Sequence, residues 1–319
     1  MCWSIWPSIF PTCCSIRGYV TDVNSTTLSL PPVESTRSVS PTWRRFRDAF
    51  RRHPTALIGG VILIVMVAIA ILAPWMGTID PQAVSPVKRL KPPSADFWLG
   101  TDMLGRDVYS RVVYGARVSL IVGLAVAALS TLLGLAIGLV TGYVRRLDAV
   151  VMRVMDGLMS IPSVLLAIAL MALTKASIGN VIVAITLAEV PRVVRLVRSL
   201  VLSLREQPYV EAAIAAGTTL PRILVRHILP NIIAPLLVQG TYVCGSAMIT
   251  EAILSFIGAG TPPNIPSWGN IMAEGRSLIQ IAGYLILFPG ICLSLTVLAV
   301  NLLGDGMRDA LDPRLARRM

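Results

Sequence analysis

Charged residues are scarce in this chain. Asp, Glu, Lys and Arg make up 14% of its 319 residues and hydrophobic residues 55%, with a mean hydropathy of +0.72. A soluble globular chain carries roughly a quarter charged residues, so this composition excludes an ordinary soluble domain and fits a polytopic membrane protein. No glycine is followed by lysine, so there is no Walker A phosphate loop and no ATP hydrolysis by that route. Histidine is limited to His53 and His227, isolated from each other, which argues against a metal site. Cys2, Cys13, Cys14, Cys244 and Cys292 show no C-x-x-C or metal spacing and read as small apolar residues. A His/Glu zincin pattern is missing, and Gly245-Ser246 lacks a serine-hydrolase setting. No internal repeat is visible, which argues against an inverted-repeat secondary carrier.

What remains is apolar runs and arginine. The net charge of +11 does not point to nucleic acid, because aromatic residues are not interleaved with basic ones in any one segment. Residues 1–40 are rich in Ser, Thr and Pro, lack the basic start of a secretory signal, and are expected to be disordered. A further expectation is that translation can begin downstream of them. Thr42 to His53 is basic and amphipathic, and with the preceding residues forms an amino-terminal cytoplasmic tail, 1–55. Apolar runs then predict six spanning helices: 56–73, about 118–143, 150–173, 178–204, 232–257 and 284–303. The first run, at 1.5 Å per residue, reaches about 27 Å, enough for a thin hydrocarbon core. A polar, proline-bearing connection, 74–117, separates the first two, and 304–319 is a cytoplasmic tail. With the amino terminus inside, most of the 28 Lys and Arg residues lie in cytoplasmic segments. The outer connection runs against that rule with Lys88, Arg89, Lys91, Arg106, Arg111 and Arg117. Gly134, Gly138 and Gly142 recur every four residues and predict close approach of a neighbouring helix.

The most informative segment is Glu211-Ala212-Ala213, then Gly217, then His227-Ile228-Leu229-Pro230, a helix-forming hairpin between the fourth and fifth spans (205–231). Its alanines make a helix that another protein can approach closely. Gly217 is suited to end that helix in a left-handed turn, and Glu211 complements the helix dipole. A second short helix is expected over Pro221 to His227. An ordinary amphipathic loop helix is the plainer alternative. The spacing resembles the EAA loop of membrane subunits of ABC importers. Three further segments resemble the second permease of the peptide and nickel importers: Leu99-Gly100-Thr101-Asp102 through Gly105-Arg106-Asp107-Val108 to Ser119-Leu120; Leu254-Ser255-Phe256-Ile257-Gly258 with Pro266-Ser267-Trp268-Gly269; and Gly304-Asp305-Gly306-Met307-Arg308 to Pro313-Arg314. Together they cover most of residues 42–314. Glu189-Val190-Pro191 departs from the pattern, which has an aromatic residue before the proline.

The resemblance implies an all-α type I ABC importer permease, one amino-terminal helix ahead of a five-helix core (118–303). It implies a homologous sister permease, two cytoplasmic ATPases that hold ATP and magnesium, and an extracytoplasmic solute-binding protein. The chain itself would be no enzyme and hold no cofactor or metal. It would sit in the bacterial cytoplasmic (inner) membrane with both termini cytoplasmic. Glu211, Ala212, Ala213, Gly217, His227, Leu229 and Pro230 would couple to an ATPase. The implied substrate is a di- or oligopeptide; nickel or glutathione are alternatives, and a channel or secondary carrier is the alternative of another class. Glu189 and Glu251 lie at membrane depth, where a lone carboxylate costs at least ~2.5 kcal/mol. They are candidates for the translocation path, or else hydrogen-bond between helices. Asp102, Arg106, Asp107 and Trp268 are candidates for docking the binding protein, or else order an interfacial loop. Pro162 and Pro191 disrupt the backbone ladders of spans three and four, and either kink them so that helix halves can rotate or are tolerated for packing alone. Arg192, Arg195 and Arg198 are expected to anchor lipid phosphates.

Overall fold

A computed structural model describes residues 54–311. The expectations for the amino-terminal tail and for residues 312–319 fall outside the described residues. Within them the long elements are helices and only one isolated β-bridge occurs, Thr101 to Asp107. The helices are α1 (Pro54–Leu72), α2 (Val108–Tyr143), α3 (Arg145–Met159), α4 (Ser163–Ala172), α5 (Ile178–Arg205), α6 (Pro208–Ala215), α7 (Leu220–Ile223), α8 (Leu229–Ile257), α9 (Trp268–Gly275) and α10 (Tyr284–Leu311). Four of these, α1, α2, the α7–α8 run and α10, are long and apolar enough to cross a membrane, and α3 with α4 would make a fifth if that bent pair is one span.

Packing follows side-chain size. In a bilayer, burial of apolar surface does not drive helices together, so association depends on close van der Waals fit. The glycine row of α2 supplies that fit against α5. A Cβ at Gly134, Gly138 or Gly142 would come within 2.5, 2.7 and 2.6 Å of Val193, Val197 and Val201. Those valines recur on the same period and are fully buried. The predicted close approach is therefore present, and α5 is the partner. Gly138→Leu is expected to cost about 1–3 kcal/mol through overpacking, with Val197→Ala in the same chain recovering part of it. Gly157→Ala on α3, where a Cβ meets nothing within 4 Å, is expected to stabilise by up to about 1 kcal/mol. Thermal unfolding in detergent distinguishes the two.

A second layer packs α1 and α8 on α10, with α1 also touching α2. Arg117 on α2 reaches the end of α1, where its guanidinium donates to the carbonyls of Ala70 and Ile71 (3.0 Å for the latter). A cation there also suits the negative end of the helix dipole.

Three expectations change. α2 begins at Val108, ten residues before the apolar run, because Asp107 caps it by accepting from the Ser110 amide at 2.9 Å. The third span is not one helix. The chain turns by 87° between α3 and α4, across Ser160-Ile161-Pro162. No residue of α3 is buried. Pro191, by contrast, leaves α5 unbroken. Finally, the α5 arginines do not stand free for lipid phosphate. Arg195 pairs with Asp156 (2.6 Å), Arg198 grips Asp148 with two nitrogens (Nη2 to Oδ2, 2.7 Å), and Arg192 pairs with Glu189 (3.2 Å). The first two pairs tie the otherwise unburied α3 to α5.

Candidate functional site

The hairpin after α5 is built from its own sequence. Pro208 occupies the first turn of α6, where its missing N–H costs nothing. Glu211 also stands in that turn, near the positive end of the dipole. Val210 is the one buried residue of α6 and packs in the core with Ile223, Ile228 and Ile232. At the far end Gly217 adopts φ +75°, and two bonds close the turn: Gly217 N–H to Ile214 O (2.9 Å) and Thr218 N–H to Ala213 O (3.1 Å). This is a Schellman cap, which needs the left-handed residue that glycine supplies without a Cβ penalty.

The expected second helix is present over Pro221–His227 but does not stand apart. α7 spans four residues and passes through a π-turn, Leu224–Ile228, straight into α8. Pro230 explains the widening, since it has no N–H for the Arg226 carbonyl. His227 lies in that turn, half-buried, and its carbonyl accepts from the Asn231 amide at 2.8 Å. Asn231 also donates to the Tyr209 hydroxyl at 3.3 Å, joining α6 to α8. Leu229 is half-buried and Pro230 exposed.

The outcome is a two-sided hairpin. Glu211, Ala212, Ile214, Ala215, Ala216 and Gly217 are exposed and Ala213 is half-buried. Around them the apolar side chains of Tyr209, Ile214, Leu220 and Val225 are 43%, 48%, 38% and 63% exposed. Small residues flanked by uncovered apolar ones form a surface suited to a close-fitting protein partner.

At the opposite end of α2 lies a buried ionic cluster. Arg111 places Nη1 2.6 Å from Asp102 Oδ2 and 2.6 Å from Glu274 Oε2, while Nη2 reaches Glu274 Oε1 at 2.8 Å. Arg106 bridges the same two acids at 2.6 and 2.8 Å. Asp102 also accepts from the Leu104 and Arg106 amides at 2.8 and 2.9 Å. Asp102, Arg106 and Arg111 are buried; only Glu274 retains exposure. Trp268 is buried as well, over Gly115, with its indole N–H donating to Val112 O at 3.0 Å. Asp102, Arg106 and Trp268 are thus held inside the fold and Asp107 caps α2, so the four order the end of the bundle where α2 begins. Sequence reading missed Arg111 and Glu274 as partners because they lie 163 residues apart.

Both acids at membrane depth are enclosed. Glu251 is fully buried and accepts from Ser255 Oγ at 2.8 Å, in a knot with Thr261, Ser267 and Asn270. Its other oxygen, Oε2, and Ser119 Oγ are buried without a partner. Glu189, 1% exposed, accepts from Ser246 at 3.3 Å as well as from Arg192. Neither carboxylate reaches the surface of this chain, and each is hydrogen-bonded inside it. Among the described residues no three His, Cys, Asp or Glu side chains gather as a metal site.

A bundle of apolar helices with a surface hairpin between two of them defines an all-helical, multi-span membrane protein. Its family is clear from comparison with known proteins: the chain belongs to the binding-protein-dependent transport system inner membrane components, which match residues 119–317. Residues 41–93 match the N-terminal TM domain of oligopeptide transport permease C. Over 268 residues the chain is 58% identical to a probable peptide ABC transporter permease protein, y4tQ, of Sinorhizobium fredii, covering 84% of this chain and 92% of that one. It is 41% identical over 288 residues to the dipeptide transport system permease protein DppC of Alkalihalophilus pseudofirmus, covering 90% and 94%. It is 39% identical over 290 residues to the glutathione transport system permease protein GsiD of Pectobacterium atrosepticum, covering 90% and 96%. The family expected from the motifs is therefore the right one. The chain is the membrane permease component of an ABC transport system.

Proposed function

We propose that this chain carries di- and oligopeptides inward across the bacterial cytoplasmic membrane, as one of two homologous permeases powered by two cytoplasmic ATPases and supplied by a solute-binding protein. The observation that carries this reading is the exposed, alanine-faced α6, closed by the left-handed Gly217 and set between α5 and α8. Glu211, Ala212 and Ala213 meet the ATPase, while Gly217, His227, Leu229 and Pro230 shape the hairpin and join it to α8. ATP and magnesium belong to the partner, and this chain holds neither cofactor nor metal. α5 and the α3–α4 pair complete six crossings, which put both termini in the cytoplasm with the hairpin. The binding protein docks on the opposite face, around a cavity of 580 Å³ lined by Arg89, Met103, Leu104, Arg106, Asn264 and Glu274 among others.

Peptides are favoured as substrates by the relatives' names, and the glutathione-named relative stays within the same class, glutathione being a tripeptide. Uptake of a labelled dipeptide into proteoliposomes is expected only with ATP on the hairpin side and binding protein on the other. Uptake driven by an ion gradient alone would contradict the proposal.

A further inference from the structure

A carboxylate taken out of water is costly unless a counter-charge meets it, and Glu251 on α8 has none among the described residues. It is fully buried, no Lys or Arg pairs with it, and only hydroxyls act on its carboxylate: those of Ser255, Ser267, Ser119 and Thr261. The arginines of α2 and of the segment after α9 are engaged elsewhere. Arg111 is taken by Asp102 and Glu274, Arg117 by the end of α1, and Arg276 lies over the Phe256 ring, 5.7 Å from its centroid.

The surroundings are built in oxygen. After α8, Gly258 turns the chain at φ +90°, and the Thr261 amide comes back to donate to Ser255 Oγ at 3.2 Å. Thr261 Oγ1 donates to Ser267 Oγ, the cap of α9, at 3.2 Å. Glycine permits this closeness. A Cβ at Gly260 would collide with the Ser255 hydroxyl, and one at Gly269 would stand 2.7 Å from Ser255 Cβ. Ser255 Oγ donates to one carboxylate oxygen of Glu251, Oε1, at 2.8 Å. The other oxygen, Oε2, and the Ser119 hydroxyl of α2 are buried and make no hydrogen bond, either to each other or to any other described group.

We propose that Glu251 Oε2 and Ser119 Oγ hold a sodium ion that joins α8 to α2, with the Thr261 and Ser267 hydroxyls as further oxygen donors. An all-oxygen set suits a hard cation. One carboxylate balances a monovalent ion, whereas magnesium or calcium would leave a surplus of buried positive charge. The close packing at Gly260 and Gly269 favours sodium over the larger potassium. A water between the two groups would leave the carboxylate unbalanced. A proton on Oε2 would lack an acceptor, since Ser119 Oγ makes no hydrogen bond to it. The site is enclosed, so the ion is a structural counter-ion and no part of the energy coupling. Sodium is the one exception to a metal-free chain, and it needs no cluster of His, Cys, Asp or Glu.

The test uses the complete transporter, purified in detergent and dialysed long enough for a buried site to exchange. Binding of radioactive sodium is expected to be one ion higher per copy of this chain in the wild type than in Glu251→Gln, which keeps the shape and drops the charge. At constant ionic strength the wild-type thermal midpoint is expected to be higher in sodium chloride than in potassium or choline chloride, as for any ligand that binds only the folded state. The Glu251→Gln midpoint is expected to be the same in all three. Ser119→Ala keeps the carboxylate and serves as the second variant. Its half-saturating sodium concentration is expected to rise about tenfold or more, since even supporting partners of a metal's ligands are worth that much. Equal sodium binding by the wild type and Glu251→Gln would overturn the proposal. So would a midpoint that moves with pH but not with sodium, the mark of a proton in the site, or a sodium affinity untouched by Ser119→Ala. No transport is measured, so the result is independent of the substrate reading.

Discussion

Arg111→Met is expected to destabilise the end of the bundle where α2 begins by about 3–5 kcal/mol, the usual cost of breaking a buried ion pair from one side. Arg111 is 1% exposed and bonds both Asp102 and Glu274. Its loss leaves two carboxylates against the single guanidinium of Arg106, which already bridges them. The surplus negative charge has no solvent to turn to at Asp102, which is fully buried. Removing the surplus should therefore repair the damage. Arg111→Met with Glu274→Leu leaves Arg106 and Asp102 as a balanced pair, and replacing a buried ion pair by apolar groups is often neutral. The thermal midpoint of the double variant is expected to lie well above that of Arg111→Met alone. If the single variant unfolds like the wild type, the cluster is not what ties the 100–107 loop to α2 and α9.

Ala212→Trp is expected to slow transport sharply while leaving the subunit folded. Ala212 is exposed on α6 and lies outside the described core, so the folded chain should change by no more than about 0.5 kcal/mol. An indole on that face blocks close approach by a partner. Coupling free energies between sites run at about 1–3 kcal/mol, so peptide uptake should fall roughly 5- to 150-fold. The ATPases should at the same time stop responding to loaded binding protein. Normal uptake by the Ala212→Trp variant would move the docking surface elsewhere.

How legible this was from sequence differs by element. The starts of α5 and α10, at Ile178 and Tyr284, and the ends of α1, α2 and α8 were set within a residue or so by where apolar runs meet proline, glycine or polar residues. The glycine row of α2 announced its own close contact, since a missing side chain on one helix face leaves room for little but another helix. Gly217 likewise declared its turn. Long-range pairing was not legible. Val108–Arg117 read as polar loop because Arg111 looks like a charge to be solvated, whereas Asp107 caps the helix and Asp102 and Glu274 neutralise Arg111 inside it. Arg195 and Arg198 read as lipid anchors for the same reason, their partners Asp156 and Asp148 being 39 and 50 residues away. The two prolines gave opposite outcomes. Pro191 sits inside a helix buried against α2 and α8, where neighbours hold the backbone, whereas Pro162 follows an unburied helix and the chain turns. Proline alone does not say which. As for the site, the hairpin could be read from its residues; the pairing of Arg192 with Tyr242 could not, because the two stand on different helices, α5 and α8.

The most direct measurement places the hairpin. A cysteine at Ala215, exposed on α6, is to be crosslinked in intact membranes and the adduct identified. Formation of a bond to the ATPase subunit, with the cysteine shielded from reagents added outside the cell, is the result expected here. Labelling of that cysteine from outside, or adducts that never contain an ATPase, would contradict the proposal that nucleotide-driven movement enters this subunit between α5 and α8.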